Sequence, residues 1–420
     1  MQREPIIFLG TSDLSGHFRG KSFPVSDLPA RLERGVGLAP TNLFISAFGP
    51  IQSTPFGTRG EVFLIPDPAT RVAVPFADDA GENFLLGDIV TLEGEPWSHC
   101  PRHALRRALA RLHSETGLRM LAAFEQEFTY SGVPAHTVQP YELHAYRQQG
   151  LFGETLLAAL RQAGVVPDSF LAEYGAGQFE VTVVPAIGLR AADDAVITRE
   201  LTRGVAHRFG ARVCFAPLTE LHAASNGTHI HWSFLDDEDR PVLYEAGQTW
   251  DLSSLGRHFV AGVLHHLPAF CALTAPSVPS YYRLRPNRWA PVRADVGVLD
   301  RGTAIRICPA MGEDPAERAR HFNLEFRVAD ATASPYLALA VLIQAGLEGI
   351  REQRLAERQH AAALPSSLDD ALTLLEASAA ASEWLGSDLV RDYVAFKRAE
   401  IAGLGQLDES EVCRRYAEVY

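Results

Sequence analysis

The residues with most chemical potential recur at every second position in five short segments. Between Leu121 and Tyr130, Glu125, Glu127 and Thr129 share one face of a strand, and Phe124, Gln126, Phe128 and Tyr130 share the other. Between Gly177 and Val184, Gln178, Glu180 and Thr182 oppose Phe179, Val181 and Val183. His229, His231 and Ser233 oppose Ile230, Trp232 and Phe234, and Glu325 and Arg327 oppose Leu324, Phe326 and Val328. Arg306 lies between Ile305 and Ile307. A half-exposed antiparallel sheet with a solvated polar face gives the same alternation. Here, however, the polar face carries carboxylates, imidazoles and guanidiniums rather than a mixture of Thr, Lys and Ser. Carboxylates two residues apart on a strand project in parallel and repel unless a cation lies between them. A donor set of carboxylates with one or two imidazoles favours Mg²⁺ or Mn²⁺ over zinc or copper. Arginines beside such a cluster grip phosphate or carboxylate. With no nucleophile evident, this combination points to phosphoryl transfer, in which positioning and charge neutralisation do most of the catalysis.

The bland alternatives are specific. His231 alone also fits a satisfied core histidine. Arg283, Arg301, Arg306 and Arg327 also fit ion pairs in an acidic chain, although two of them lie inside apolar strands where an unpaired charge is costly. Gly16–Ser22 (GHFRGKS) is one residue short of a phosphate loop and reads as a turn. No G-x-S-x-G or G-x-G-x-x-G occurs, and His265-His266 sits in an apolar helical run and reads as structural.

The elements that must hold these residues follow from punctuation and period. The first hundred residues are strand-and-turn material, with Pro5–Gly10, Asn42–Phe48 and Glu61–Pro66 short, apolar and bounded by Gly, Pro, Asp and Ser. Helical signals begin at Pro101, with Leu105, Leu109 and Leu112 on one face and Gly117 as the stop. A domain boundary is therefore expected at residues 97–102, giving units 1–100 and 101–420. The Ala-rich stretch Leu355–Leu385 keeps helical spacing at Leu368, Ala371, Leu372 and Leu375 and is read as helices. Pro335–Ile350 is apolar but too short for a bilayer and contains Gln344 and Gly346, so it reads as a buried helix.

The chain has 420 residues, 38 Lys+Arg against 51 Asp+Glu, and a formal net charge of −13. That balance argues against general nucleic-acid or anionic-membrane binding. Lys21 and Lys397 are the only lysines, so 36 of the 38 basic residues are arginines. Five scattered cysteines without C-x-x-C spacing, and an N-terminal apolar run too short for a signal peptide, predict a cytoplasmic protein in a reducing compartment.

The motifs together resemble the glutamine synthetase family, and in particular its divergent members that join glutamate to amines other than ammonia. The resemblance runs through DLSGHFRGK at Asp13–Lys21, LIPD at Leu64–Asp67, PWSHCPR at Pro96–Arg102 and Glu125-x-Glu127-Phe128. It continues through EYGAGQFE at Glu173–Glu180, His229-x-His231-x-Ser233, SYYRL at Ser280–Leu284, RGTAIRI at Arg301–Ile307 with Arg306 in it, and EFRVADATASPY at Glu325–Tyr336. It implies an α+β fold: a small N-terminal β-grasp domain, then a catalytic domain with a curved antiparallel sheet packed by helices. It also implies two metal sites, one of Glu127, Glu173 and Glu180, the other of Glu125, His229 and Glu325, holding Mg²⁺ or Mn²⁺. His231, Ser233 and Arg306 match nucleotide contacts for ATP. Arg283 and Arg327 match the arginines that hold glutamate, Arg301 matches one that stabilises the transferring phosphoryl group, and Arg301, Arg327 and Glu325 form the implied catalytic group. Gly227 and Trp289 fall in the implied substrate site. The implied partners are glutamate, an amine, ATP and further copies of the chain, as a dodecamer of two hexameric rings.

The departures from the family concern the amine. Where ammonia-using members carry a glutamate two residues before a proline, this chain has Trp289 in Arg285–Pro291 (RPNRWAP). The N-terminal aspartate loop is not evident in Phe48–Phe56, and the adenylylation tyrosine loop is absent near Leu364–Ala371. Losing both anionic groups removes the charge that favours ammonium, whereas tryptophan offers an apolar or cation–π surface. A larger amine is expected, with alkyl or aryl monoamines ahead of polyamines because a distal charge would want a carboxylate partner. Trp289 equally fits a residue packed in its loop. Asn226-Gly227 stands nearer to His229 than the family's Asn-Gly pair does, which leaves the role of Asn226 open. Glutamine synthetase proper, with a remodelled ammonium site, is the alternative enzyme, and a non-catalytic structural or regulatory relative is the alternative outside catalysis.

Overall fold

The computed structural model describes residues 3–51, 53–76, 81–133, 140–355 and 361–420. The N-terminal part builds one sheet from β1 (Ile6–Ser12), β2 (Phe18–Pro24), β3 (Val36–Leu38), β4 (Val62–Pro66), β5 (Val72–Val74) and β6 (Glu82–Val90), with α1 (Leu28–Arg34) between β2 and β3. The order is β2-β1-β6-β4-β3, with β5 also on β6, and the central β1–β6 pair is parallel. Ile7, Leu9, Leu64 and Leu85 are fully buried in it. The expected strand at Asn42–Phe48 is instead a 3-10 helix, Pro40–Phe44. Pro40 has no N–H for a ladder and its ring presets a turn-like φ, so Leu43 and Phe44 are buried from a helical turn.

After α2 (Pro101–Thr116), the chain forms β7 (Arg119–Phe124), β8 (Gln126–Tyr130), α3 (Leu143–Gln162), β9 (Pro167–Ala172), β10 (Gln178–Val183), β11 (Ala186–Ile187) and α4 (Leu189–Arg208). Then come β12 (Val213–Cys214), β13 (Ile230–Leu235), α5 (Ser254–Thr274), α6 (Val278–Arg283), β14 (Val296–Val298), β15 (Ile305–Ile307), α7 (Pro315–His321) and β16 (Leu324–Phe326). Five helices finish the chain: α8 (Pro335–Arg351), α9 (Leu368–Glu376), α10 (Ala379–Leu385), α11 (Ser387–Leu404) and α12 (Glu409–Val419). The strands make two sheets, β12-β8-β10-β9 and β11-β7-β13-β16-β15-β14, antiparallel except at β14–β15. One extended ribbon serves both: β7 ends at Phe124, β8 starts at Gln126, and Glu125 between them donates its N–H to the His229 carbonyl at 3.0 Å. The curved sheet expected from the resemblance is built as two sheets sharing a ribbon at Glu125.

Helices cover the apolar faces as the alternation requires. α5 and α8 cross with backbones nearly touching: a Cβ on Gly262 would lie 2.2 Å from the Ala345 carbonyl, and one on Gly349 would lie 2.2 Å from that of His258. Larger residues there would separate the helices and open the core. In the Ala-rich stretch, α9 starts at Leu368 with the Ser367 hydroxyl accepting from the Asp370 N–H, and Leu368, Ala371, Leu372 and Leu375 are buried. The helical reading therefore holds from Leu368 on; Ala363 instead bridges Arg293, and residues 356–360 lie outside the described residues.

His266 on α5 is buried beside Trp384, with ring centroids 5.0 Å apart. Burial, then His265 and Arg354, push its pKa down to about 4, although Glu348 stands 3.4 Å away. The unfolded chain binds a proton near pH 6.5 that the folded chain refuses, so stability is lost as pH falls from 6.5 to 4. Melting temperatures measured across that window should fall less steeply in His266→Gln than in the native chain; equal slopes would remove His266 as the cause.

Candidate active site

Seven of the polar residues singled out from the alternation converge at the Glu125 ribbon. Glu125 reaches His229 Nδ1 at 2.9 Å with one oxygen and His231 Nε2 at 3.0 Å with the other. His229 Nδ1 also stands 3.7 Å from Glu127 and 3.4 Å from Glu325. Cross-strand pairing places these contacts: β13 lies between β7 and β16, with His231 opposite Ala123 on one side and Glu325 on the other. Arg306 on β15 is in turn opposite Glu325, and its guanidinium donates to a Glu325 oxygen at 2.7 Å. The Arg327 guanidinium donates to the other oxygen of Glu325. One oxygen or nitrogen from each of Glu125, His231 and Glu325 falls within 4.8 Å of the others, close enough to share one cation.

A second group lies on the other sheet. Glu180 on β10 is paired directly with Glu127 on β8, and Glu173 sits at the end of β9. Burial first, then the charges of Glu125, Glu127 and Glu173, push the Glu180 carboxyl far above the usual carboxylate range. Burial likewise raises Glu173, against a hydrogen bond from the Tyr141 hydroxyl and with Glu127 adding to the rise. Glu125 is half-buried, and against the desolvation that raises it His231 and His229 hold it well below the usual range. In reverse, burial lowers His231 but Glu125 raises it well above an ordinary imidazole. Glu325 stays low against burial through His229 and Arg327. Carboxylates crowded this closely repel one another unless a cation lies between them, so the donor set fits a divalent cation.

The other expected residues take varied positions. Gly227 donates its N–H to Glu127 at 2.7 Å, and a Cβ there would lie 2.8 Å from His229 Nε2 and 2.9 Å from the Arg283 guanidinium. No larger residue fits between those groups. Arg283 is buried and donates to the carbonyls of Arg327 and Val328 at 2.9 Å each, leaving further N–H groups on its fork. Arg327 also donates to the Arg301 carbonyl at 2.8 Å and stands 3.5 Å from that of Trp289. The Arg301 side chain itself is exposed at an open cleft of about 630 Å³ with Trp289 and Asp300. Ser233 is buried on β13, two residues beyond His231. Trp289 is 69% exposed in the chain, with its ring centroid 5.8 Å from that of Tyr174.

Asn226 is occupied structurally: it donates to the carbonyl of Ala216 at 2.9 Å and accepts from Gln178 at 2.9 Å. Gln178 also donates to the Ser225 carbonyl at 2.8 Å, so it holds the loop that presents Gly227. Asn323, which stands 2.8 Å from His231 Nδ1, and the Tyr141 and Tyr174 rings were not singled out from sequence. Asn323 is next to a strand carrying ligand-grade residues, a signal that was there to read; the tyrosines gave no periodic signal.

A family model described as the glutamine synthetase catalytic domain matches residues 98–415, and one described as the glutamine synthetase N-terminal domain matches residues 2–97. The chain belongs to the glutamine synthetase family. It is 33% identical to the gamma-glutamylpolyamine synthetase of Streptomyces coelicolor, over 99% of this chain and 93% of that protein. It is 28% identical to the type-1 glutamine synthetase 1 of Dictyostelium discoideum, over 86% and 78% respectively. Among solved structures, a novel glutamine synthase homolog superposes with a TM-score of 0.94 at 42% identity, covering 100% of this chain and 99% of that one. Ligand-free GmaS superposes with a TM-score of 0.84 at 26% identity, covering 97% and 95%. Enzymes of this family use ATP and divalent metal ions, and the present chain is a glutamate–amine ligase of that type. Among the described residues no helix is long and apolar enough to cross a membrane.

Proposed function

We propose that the chain phosphorylates the γ-carboxylate of glutamate with ATP and transfers the γ-glutamyl group to an amine larger than ammonia. The observation that carries the choice of amine is Trp289: it is exposed, and its backbone meets Arg327 where ammonia-using members hold a glutamate. A site for NH₄⁺ needs an anion at that point to outcompete water, and an indole supplies none. The polyamine named for the Streptomyces relative agrees with a large acceptor.

Glu127, Glu173 and Glu180 on one side, and Glu125, His229 and Glu325 on the other, would hold two divalent cations, with His231 within reach of the second set. Bound there, the cations would supply charge neutralisation for the phosphoryl group. The protein's own groups do the rest. Arg283 and Arg327 orient the carboxylates of glutamate, and Arg301 faces the open cleft where the phosphoryl group transfers. His231, Ser233 and Arg306 line the nucleotide side. The amine, which arrives past Trp289 and sheds a proton, then attacks the acyl carbon of the glutamyl phosphate, forming the amide C–N bond as the C–O bond breaks and phosphate leaves. We assign residues 1–100 to a β-grasp unit and 101–420 to the catalytic unit, working as a homo-oligomer.

Phosphate release from ATP with glutamate should be supported by alkylamines at a kcat/KM at least tenfold above that with ammonium, and mass spectrometry should find γ-glutamyl amides. Ammonium as the best acceptor by far would return the chain to glutamine synthetase proper. No release with any amine would leave a non-catalytic relative.

A further inference from the structure

Three aromatic side chains stand in the open at the mouth of the site. Tyr141, Tyr174 and Trp289 are 62%, 63% and 69% exposed, yet they touch one another in sequence. The Tyr141 and Tyr174 rings meet edge-on with centroids 5.6 Å apart, and those of Tyr174 and Trp289 are tilted at 5.8 Å. Both ends of the strip are tied to the site: the Tyr141 hydroxyl donates to Glu173 at 2.8 Å, Tyr174 follows Glu173 directly, and the Trp289 carbonyl stands 3.5 Å from the Arg327 guanidinium. Tyr141 and Trp289 have φ of 57° and 54°, in the left-handed region that bulky residues avoid. A chain that exposes three large rings, two of them on strained backbone, forgoes burial that would stabilise it, and such a patch marks a binding surface.

We propose that this strip, with the Asp300 carboxylate in the cleft beside Trp289, holds the distal ammonium of a di- or polyamine acceptor. The proposal rests on the glutamate–amine ligase reading above. The rings lie outside the buried Arg283 and Arg327, so a molecule seated on them has its far end there and its near end at the reacting carboxylate. The attacking nitrogen must shed its proton before it attacks, so a cation that stays held against the π faces is a second nitrogen and not the nucleophile. Three ring faces and a carboxylate suit an alkylammonium, which the indole attracts most strongly. The carboxylate partner that a distal charge requires is Asp300, which the sequence did not place near Trp289.

The test compares 1,4-diaminobutane with butylamine, which has the same chain but no distal charge, and with benzylamine, in the native enzyme and in Tyr174→Leu and Trp289→Leu. The native enzyme should favour the diamine over butylamine by more than tenfold in kcat/KM. Each variant should reduce that ratio several-fold to tenfold, through KM for the diamine. Butylamine or benzylamine equal to or better than the diamine, or variants that change all three amines alike, would overturn the distal site while leaving the ligase reading intact. Turnover with ammonium alone would overturn both.

Discussion

Glu325→Gln should lower glutamate- and amine-dependent phosphate release by about a thousandfold with every amine, a loss of the size seen when one preorganised charge is removed from a transition-state site. Glu325 is almost fully buried, and four cationic or imidazole groups converge on it: Arg306 at 2.7 Å, Arg327 in direct contact, His229 at 3.4 Å and, through the shared cation position, His231. Glutamine keeps the shape and removes the charge, so the imidazoles and guanidiniums lose the anion that orders them. Both Glu325→Gln and Glu325→Ala break the buried pair, at a cost of about 3–5 kcal/mol, and Glu325→Ala should lose activity equally and, by leaving a void, further stability. Steady-state phosphate assays alongside melting curves separate the two effects. A glutamine variant within tenfold of the native rate would remove Glu325 from the catalytic group.

The second large effect lies away from the site. Arg102, at the start of α2, is fully buried and binds three carboxylates: Asp67 and Asp88 at 2.7 Å each, and Asp193 at 2.8 Å. Asp67 and Asp88 belong to the N-terminal sheet region, whereas Asp193 lies on α4 and also accepts from the Tyr336 hydroxyl at 2.7 Å. One guanidinium therefore ties the first sheet to the helices behind the active-site ribbon. Arg102→Met leaves these acids without their buried partner, a loss of about 3–5 kcal/mol, or about 4–6 °C in melting temperature for a chain of this length. Arg106 contacts Asp67 and Asp88 from a 42% exposed position, and Arg106→Met should cost under about 1 kcal/mol. Differential scanning calorimetry of the two variants decides it; equal shifts would show that burial at Arg102 contributes nothing.

These two arginines mark the limit of what residue type conveys. Both are ordinary in a chain with 36 arginines, and PWSHCPR carries Arg102 without saying what it binds. Period-two alternation made the site legible, because a strand projects alternate side chains to one face and the five segments carried unusual residues on that face. The same rule fails for Asn42–Phe48, where Pro40 imposes a helical turn on an apolar run that reads as a strand. It is silent on Tyr141 and Tyr174, which sit in loops and are brought beside Trp289 only by the return of the chain after β9. Asn226 was left open from sequence because its spacing to His229 is ambiguous; its hydrogen bonds to Ala216 and Gln178 give it a loop-holding role.

The sequence alone determined which carboxylates, imidazoles and guanidiniums share strand faces, the family, and that a tryptophan stands at position 289, because those depend on residue types at short, regular spacing. Tertiary structure decided which imidazole meets which carboxylate, the exposure of Trp289, the aromatic strip and the Arg102 cluster. Each of these joins residues far apart in the chain, through sheet register and helix packing. Local periodicity fixes which way a side chain points, but only the packed fold fixes what it meets.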